Sequence, residues 1–330
     1  MAAPSRHIRR QLMLGSAGAA TLAFAARPQA AELSPLHLVL GFAVGGGADI
    51  IARIASTEIA AIANRNVLVE NRAGAGGRIA INVIKAAPAD GSRLFFGSTS
   101  VLTLFPYVFD KLPYSLEEDF TPVSTLCAFA YAIVVSPTIG VRTLAELLDW
   151  ARRHPDRATF GTPGIGTPQH LIGTLLGKLG GAPFTHVPFK SGSEANQQLL
   201  GGQIPMIIAT TGQFIEMHHT GRIRIIATTD DVRSRIIPDV PTCAESGFPK
   251  LVFKDSFGFI GPAGLAAPIV ADLSGQIAAA TRSDKLRQGL DRQALDPLLI
   301  HGQAYEHYLK LEKQRWQETV RTIGFSPMSG

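Results

Sequence analysis

The stretch that most limits what this chain can fold into is "GFAVGGGADIIAR", Gly41 to Arg53. A short apolar strand runs into three consecutive glycines and leaves as a helix, with Ile51, Ala55, Ile59 and Ile62 at helical spacing. The same passage recurs. "NVLVEN" (66–71) runs through "RAGAGG" into "RIAINVIK", and "SRLFFGS" (92–98) follows an Asp90–Gly91 turn. This β-α-β-α-β order predicts a parallel sheet with right-handed crossovers. After a less regular stretch, "FAYAIVVSP" (129–137) reads as a strand and the alternation restarts. It runs helix "TLAELLDWARRHP", strand "ATFGT", helix "TPQHLIGTLLGKLG", strand "FTHVPF", helix "SEANQQLLGG", then strands "IPMIIAT" and "IRIIATT" around a short helix. Thr167 and Pro168 are placed to cap and begin the second of these helices. "SFGFIGPAG" (256–264) is a late strand, and "PIVADLSGQIAAATRS" and "AYEHYLKLEKQRWQETVRTIG" close the chain as two helices.

This order implies two α/β units. Residues 133–254 read as a second domain inserted into a first, which takes 32–132 and 255–330. Two crossings between such domains leave a cleft, and ligands of open α/β sheets sit beyond the carboxyl ends of the strands. The loops "GFAVGGGAD", "NRAGAGG", "GTPGIGTPQ" and "FKSGSE" would aim helix N-termini at it. An N-terminus carries unpaired N–H groups and partial positive charge. Each favours an anion by roughly 0.3–1 kcal/mol when exposed and about 2 kcal/mol when partly buried. Two or three together would hold a carboxylate without any arginine. A single glycine loop is better explained by a tight turn; the whole set is not.

The first 31 residues read as a secretory signal peptide. Arg6, Arg9 and Arg10 form its basic region, "QLMLGSAGAATLAFAA" its apolar region, and "AFA" and "RPQAAE" supply small residues for cleavage. The apolar region is too short and too rich in Ala, Gly, Ser and Thr for a membrane anchor. No Cys follows it, which argues against a lipid-anchored form. The Arg9–Arg10 pair leaves Sec and twin-arginine export both open. A periplasmic protein is expected. Arg6, Arg9, Arg10 and Arg27 lie in the leader and no acid does, so the formal net charge of +5 falls by four to +1 once it is removed. No clustered basic face remains to suggest nucleic acid. The whole chain is 46% hydrophobic and 17% charged, with 33 Gly and 21 Pro, as in a loop-rich globular protein.

Other chemistries fail on spacing. There is no GxxxxGK[ST] loop, and neither "GGGAD" nor "GTPGIG" matches GxGxxG, although Glu70 stands at a suitable distance for its acid. There is no GxSxG elbow, and the serines flanking Gly192 imply no base. His170, His186, His218, His219, His301 and His307 are scattered, and surface or capping roles are expected for them. Asp230–Asp231, near Arg233 and Arg235, reads as a solvated loop. Cys127 and Cys243 fit no zinc pattern; two free thiols are favoured over a pair, which an exported protein also permits. No cofactor or metal is expected.

The segments "GFAVGGGADIIAR", "VLVENRAGAGGRIA", "KAAPADGSRLFFGS", "GTPGIGTPQHL", "HVPFKSGSEANQQLLGGQI", "IPDVPTCAESGFP" and "FIGPAGLAAP" occur in order over nearly all of 35–330. Together they resemble the extracytoplasmic substrate-binding proteins of tripartite tricarboxylate transporters, the Bug family. The resemblance implies a type II periplasmic-binding-protein-like α/β fold, two domains with a central ligand cleft. It implies a small carboxylate ligand held mainly by backbone groups and waters, membrane permease subunits as partners, and a monomer. By the same resemblance, Phe42, Gly45, Gly46, Ala48 and Asp49 match the first ligand loop, with Asp49 capping or beginning the helix. Ser98 and Thr99 follow the third strand. Thr162, Gly164, Gly166, Thr167 and His170 match the opposing loop, and Phe189, Lys190 and Ser191 the next turn.

Departures from the family pattern carry information. Gly41 and Ala43 stand where it has proline, and Ala48 where it has a threonine. Ala209 replaces an acid that can meet a ligand ammonium. A more apolar pocket, for a carboxylate without a cationic amine, is therefore expected. Two other functions stay open: a ligand sensor with the same fold and, less well supported, an exported enzyme acting on a small carboxylate.

Overall fold

Three parallel strands begin the fold. β1 (Leu36–Leu40) lies between β2 (Val67–Asn71) and β3 (Arg93–Ser98), with Leu38 opposite Val69 on one side and Leu94 on the other. This computed structural model describes residues 34–328; the expected signal peptide lies outside the described residues. The crossovers are α1 (Gly47–Ala63) and α2 (Arg78–Lys85). Ile51, Ala55 and Ile59 recur every four residues and bury one face of α1. The irregular stretch that follows holds three one-turn helices, α3 (Ser100–Thr103), α4 (Phe105–Val108) and α5 (Leu116–Asp119).

β4 (Phe120–Val135) is 16 residues long and begins well before the strand expected at 129. Its first half was hidden by Pro122, Ser124 and Thr125, which break the apolar pattern. The strand shifts register there, between Pro122 and Ser124 and between Thr125 and Cys127. Ser124 and Thr125 are buried at no polar cost, because their hydroxyls donate to the carbonyls of Thr125 and Leu298.

The second lobe follows: α6 (Leu144–Arg153), β5 (Thr159–Thr162), α7 (Pro168–Gly180), β6 (Thr185–Pro188), α8 (Gly192–Leu200), β7 (Met206–Thr210), α9 (Ile215–His219) and β8 (Arg224–Thr228). β5 runs parallel to β6 and β7. As expected, Thr167 caps α7 and Pro168 starts it. β9 (Lys254–Pro262) returns the chain to the first lobe. There α10 (Ala267–Ala280), α11 (Asp284–Arg292), β10 (Asp296–Pro297) and α12 (Gln303–Ile323) complete it. α11 is a third closing helix where two were expected. It buries only Leu286, Gly289 and Leu290, too few for a visible period; its one signal is Ser283, whose side chain caps it by accepting from Leu286 N.

The strand order is β2-β1-β3-β9-β4-β7-β5-β6, with β8 and β10 also paired to β4. Pairing is parallel at the outer strands of each lobe and antiparallel at the centre, where β9 meets β3 and β4, and β4 meets β7 and β8. β4 pairs with β9 from Phe120 to Ala130, then with β7 from Tyr131 to Val135. One strand thus belongs to both lobes, and the change of partner falls at Ala130–Tyr131, beside Lys254 and Asp255 of β9. α12 packs on β4, and its Trp316 stacks on Phe253 at 5.4 Å. Its last turn receives Lys178 of α7, whose ammonium donates to the carbonyls of Thr322 and Ile323.

Asp230 and Asp231 lie in a loop as expected, Asp231 exposed and Asp230 half-buried, but with an ion-pair partner that was not expected. Lys254 Nζ lies 2.8 Å from each and 3.5 Å from Asp296, while Arg233 pairs with Glu245 instead. Cys127 and Cys243 are buried free thiols, and burial pushes the ionisation of both upward, Cys243 to about 12.

The lobes touch closely at Gly212, just after β7. A Cβ there would sit 2.0 Å from the carbonyl oxygen of Gln293 and 2.6 Å from its carbon. Backbone cannot swing aside as a side-chain tip can. Gly212→Ala is expected to lose about 1–3 kcal/mol, read as a lower urea midpoint with an unchanged slope; an unchanged midpoint would show that this contact is not fixed in solution.

Candidate ligand cleft

The loop after β1 is set by two glycines and one buried acid. A Cβ at Gly41 would lie 2.7 Å from Gly77 Cα, so the loop can close on "GAGG" only with glycine there; Gly45 has φ +84°. Asp49 is 2% exposed, in the first turn of α1, and is not the cap: that position is Gly46, with no side-chain bond. The Asp49 carboxylate reaches back to Gly45 N–H (2.9 Å) and accepts from Arg53 and from Asn71, which also donates to Phe42 O. Burial alone would raise its pKa, but the bonds from Arg53, Gly45 and Asn71 hold it below the ordinary range. Asp49 therefore shapes the loop from behind, leaving Gly47 and Ala48 N–H in the first turn without helical partners.

The facing loop is held by hydroxyls and imidazoles. Thr162 and Thr167 both donate to Gly164 O, at 2.9 and 3.0 Å. Gly166 N–H donates to His170 Nδ1 (3.1 Å), which fixes that ring's proton on Nε2. The His170 ring stacks on His186 at 3.7 Å and 17°, and His186 Nε2 is 2.7 Å from Thr162 Oγ1. Of the surface or capping roles expected for these two histidines, the surface one is corrected, since both are half-buried and brace the loop; His170 does cap, accepting from Gly166 N–H just before α7. Burial lowers both imidazole pKa values, to about 4 for His170 and about 3 for His186, the second also through its neighbour.

The next helix, α8, starts with a reciprocal cap. Ser191 accepts from Glu194 N–H, and Glu194 accepts from Lys190 N–H. Gly192 and Ser193 N–H, and Gln169 N–H on α7, then have no helical partner. The first turns of α1, α7 and α8 all open on the same cleft. It has an inner cavity of about 70 Å³ and an adjoining outer one of about 690 Å³.

Of the residues singled out from sequence, Phe42, Ser98, Thr167, Lys190 and Ser191 line the inner cavity. Gly45, Gly46, Ala48 and Ala209 line the outer one, which Phe42 also borders. The others stand behind the wall. Thr99 is buried and bonded to Asp255 and Ser256. Asp49, Thr162, Gly164, Gly166 and His170 shape the loops, and Phe189 packs into the second lobe's core. Sequence reasoning missed Ser100, Phe105, Phe129, Tyr131, Thr210 and Phe257, which also line the inner cavity. They lie on the crossing strands, on the helices after β3 and, for Thr210, at the end of β7, where no glycine loop marks them. The one available signal was the aromatic density of "FAY" and "SFGF". No carboxylate lines the inner cavity, and its one cationic side chain is Lys190.

Residues 51–325 match the family model described as the tripartite tricarboxylate transporter family receptor. The chain belongs to that family. It is 29% identical to the protein BugT of Bordetella pertussis over 88% of this chain and 89% of that one. Among solved structures it is similar to an R. palustris protein with adipate, at TM-score 0.85 and 26% identity over 90% of this chain and 99% of that one. It is also similar to MatC of Rhodopseudomonas palustris with bound malate, at TM-score 0.80 and 25% identity over 87% and 99%. The fold is the two-domain α/β fold of periplasmic binding proteins, and the family is one of transport receptors, not enzymes. Membership places the chain in the periplasm; among the described residues no helix is long and apolar enough to cross a membrane.

The imidazole pair gives this receptor a pH dependence. In the unfolded chain histidine titrates near 6.5. Below that value the unfolded state binds protons that the folded state refuses, so stability falls with falling pH. The urea midpoint is expected to drop between about pH 7.5 and about pH 5, and to drop less in His186→Gln. An equal drop in the variant would place the proton uptake elsewhere.

Proposed function

We propose that this chain captures a small carboxylate lacking a cationic amine between its lobes and delivers it, as a monomer, to the permease subunits of a tripartite transporter. The observation that carries this is the convergence of the N-termini of α7 and α8 and of Lys190 on an inner cavity lined by no carboxylate, with the first turn of α1 on the adjoining outer cavity, which Glu216 and Arg292 also line. Such an arrangement favours anions, and no carboxylate stands on the inner wall to pair with an ammonium. The solved relatives hold adipate and malate, both carboxylates. Ala48 and Ala209, at the outer wall, supply neither a hydroxyl nor an acid, which agrees with an amine-free ligand. The residues that would meet the ligand are Phe42, Gly46, Ala48, Thr167, Lys190 and Ser191, through backbone N–H groups more than side chains.

In this reading residues 32–132 and 255–330 form one closing domain and 133–254 the other. They turn about β4 and β9 where those strands cross between lobes. The leader read in residues 1–31 would direct export.

The test is a thermal-shift and calorimetric screen of refolded, ligand-free protein against small carboxylates. A binder raises the midpoint with concentration, and aspartate and glutamate are expected to bind more weakly than amine-free carboxylates. Gly192 is the position to block. It lines both cavities, and a Cβ there meets nothing closer than Gln213 Oε1 at 3.9 Å, so the fold has room for a side chain. Gly192→Leu should abolish the shift while the unliganded midpoint stays put. A shift that survives would overturn the placement of the site.

A further inference from the structure

The floor of the inner cavity is built on a buried carboxylate. Asp255 of β9 is 1% exposed and accepts four bonds. Oδ1 takes Thr99 Oγ1 (3.2 Å) and Ser256 N–H (2.7 Å); Oδ2 takes Ser98 Oγ (2.5 Å) and Tyr131 Oη (2.8 Å). Four donors on two oxygens saturate a carboxylate. A hydroxyl has one proton, and those of Ser98 and Tyr131 go to Asp255, because a charged acceptor outcompetes neutral ones. Ser98 Oγ and Ser100 Oγ are 2.5 Å apart, a contact that needs a proton between them. Ser98 has already given its own, so Ser100 supplies it. Ser100 N–H also points to Ser98 Oγ, at 3.2 Å. The chain Ser100 to Ser98 to Asp255 therefore runs one way.

Ser100 and Tyr131 both line the cavity. With their protons turned away from it, they present lone pairs to whatever enters. The second lobe lends the same cavity groups of the reverse polarity, Lys190 and the first-turn residues Gln169 and Gly192. Phe129 and Phe257, which stack at 4.3 Å and 29°, add apolar surface to the lining.

On the receptor reading above, we infer that the site selects a carboxylate carrying a hydroxyl at its far end. The carboxylate faces the second lobe, and the hydroxyl donates its one proton to Ser100 Oγ or to Tyr131 Oη. A second carboxylate at that end would meet lone pairs backed by Asp255. A methoxy group or a bare C–H has no proton to give, so the acceptor that the hydroxyl would pair stays without a partner in a buried place.

The experiment is isothermal titration of the ligand-free chain with two matched series. One is benzoate, para-hydroxybenzoate, para-methoxybenzoate and terephthalate; the other is butyrate, gamma-hydroxybutyrate and succinate. In at least one series the hydroxy compound should bind about tenfold or more tightly than every other member, the worth of one buried hydrogen bond. Tyr131→Phe should cut the ratio of hydroxy to deoxy affinity several-fold, since it removes one acceptor and keeps the ring. Ser98→Ala, which frees the Ser100 proton to face the cavity, should lower the same ratio and raise the relative affinity of the methoxy or dicarboxylate compound. Binding of carboxylates with no hydroxyl preference overturns the inference and leaves the receptor reading standing. Folded protein that binds no carboxylate overturns the receptor reading itself.

Discussion

The pairing of β4 with β9 is the constraint on which the cleft depends. These strands run antiparallel through the centre of the sheet, and at Ala130–Tyr131 one of them changes partner from the first lobe to the second. Asp255 sits beside that point. A carboxylate so buried costs several kcal/mol of lost hydration unless hydrogen bonds replace the water, and here Ser98, Thr99, Tyr131 and the Ser256 N–H replace it. The dependence runs both ways. Without Asp255, three hydroxyls drawn from β3, its following helix and β4 would lose their common acceptor, at about 1–3 kcal/mol for each one left unpaired. The carboxylate thus joins the first lobe to the crossing strand and at the same time sets the direction of every nearby hydroxyl.

The rest of the cleft is built differently. Its loops work through backbone N–H groups, and each is braced from behind by a different device: the Asp49–Arg53–Asn71 cluster under the first, stacked His170 and His186 under the second, and the Ser191–Glu194 cap at the third. None of these side chains needs to touch a ligand to matter. Each keeps N–H vectors aimed at one place, and that is what makes weak dipoles add up.

This division explains what could be read in the sequence. Glycine loops between a strand and a helix leave a local mark, so the positions of Gly45, Gly46 and Thr167 at the cleft were legible, as was the cap of α7. The crossing strands leave no such mark. β4 hides Pro122, Ser124 and Thr125 in a bulged half-strand, and the Thr125 hydroxyl finds its partners at Leu298 and Ile300, far along the chain. Asp255 looked like one acid in "FKDSFGF"; its partners Ser98 and Tyr131 lie 157 and 124 residues away. The stacked histidines were missed for the same reason, since β6 and α7 bring them together only in the folded sheet. Local chemistry is written locally; the hinge is written in pairs of distant residues.

The polarity of the cleft also bears on how binding becomes closure. A ligand favours the closed form only through contacts it makes better there than in the open form. A carboxylate alone can lie on the N-termini of α7 and α8, which belong to one lobe, and it gains little when the other approaches. A ligand that also donates to Ser100 or Tyr131 would have its ends on groups from the two lobes. It collects both sets of bonds only when the lobes are together. Recognition of the far end is then the same event as closure, and a permease that engages the closed shape would receive the selected ligand in preference to carboxylates that merely adhere to the second lobe.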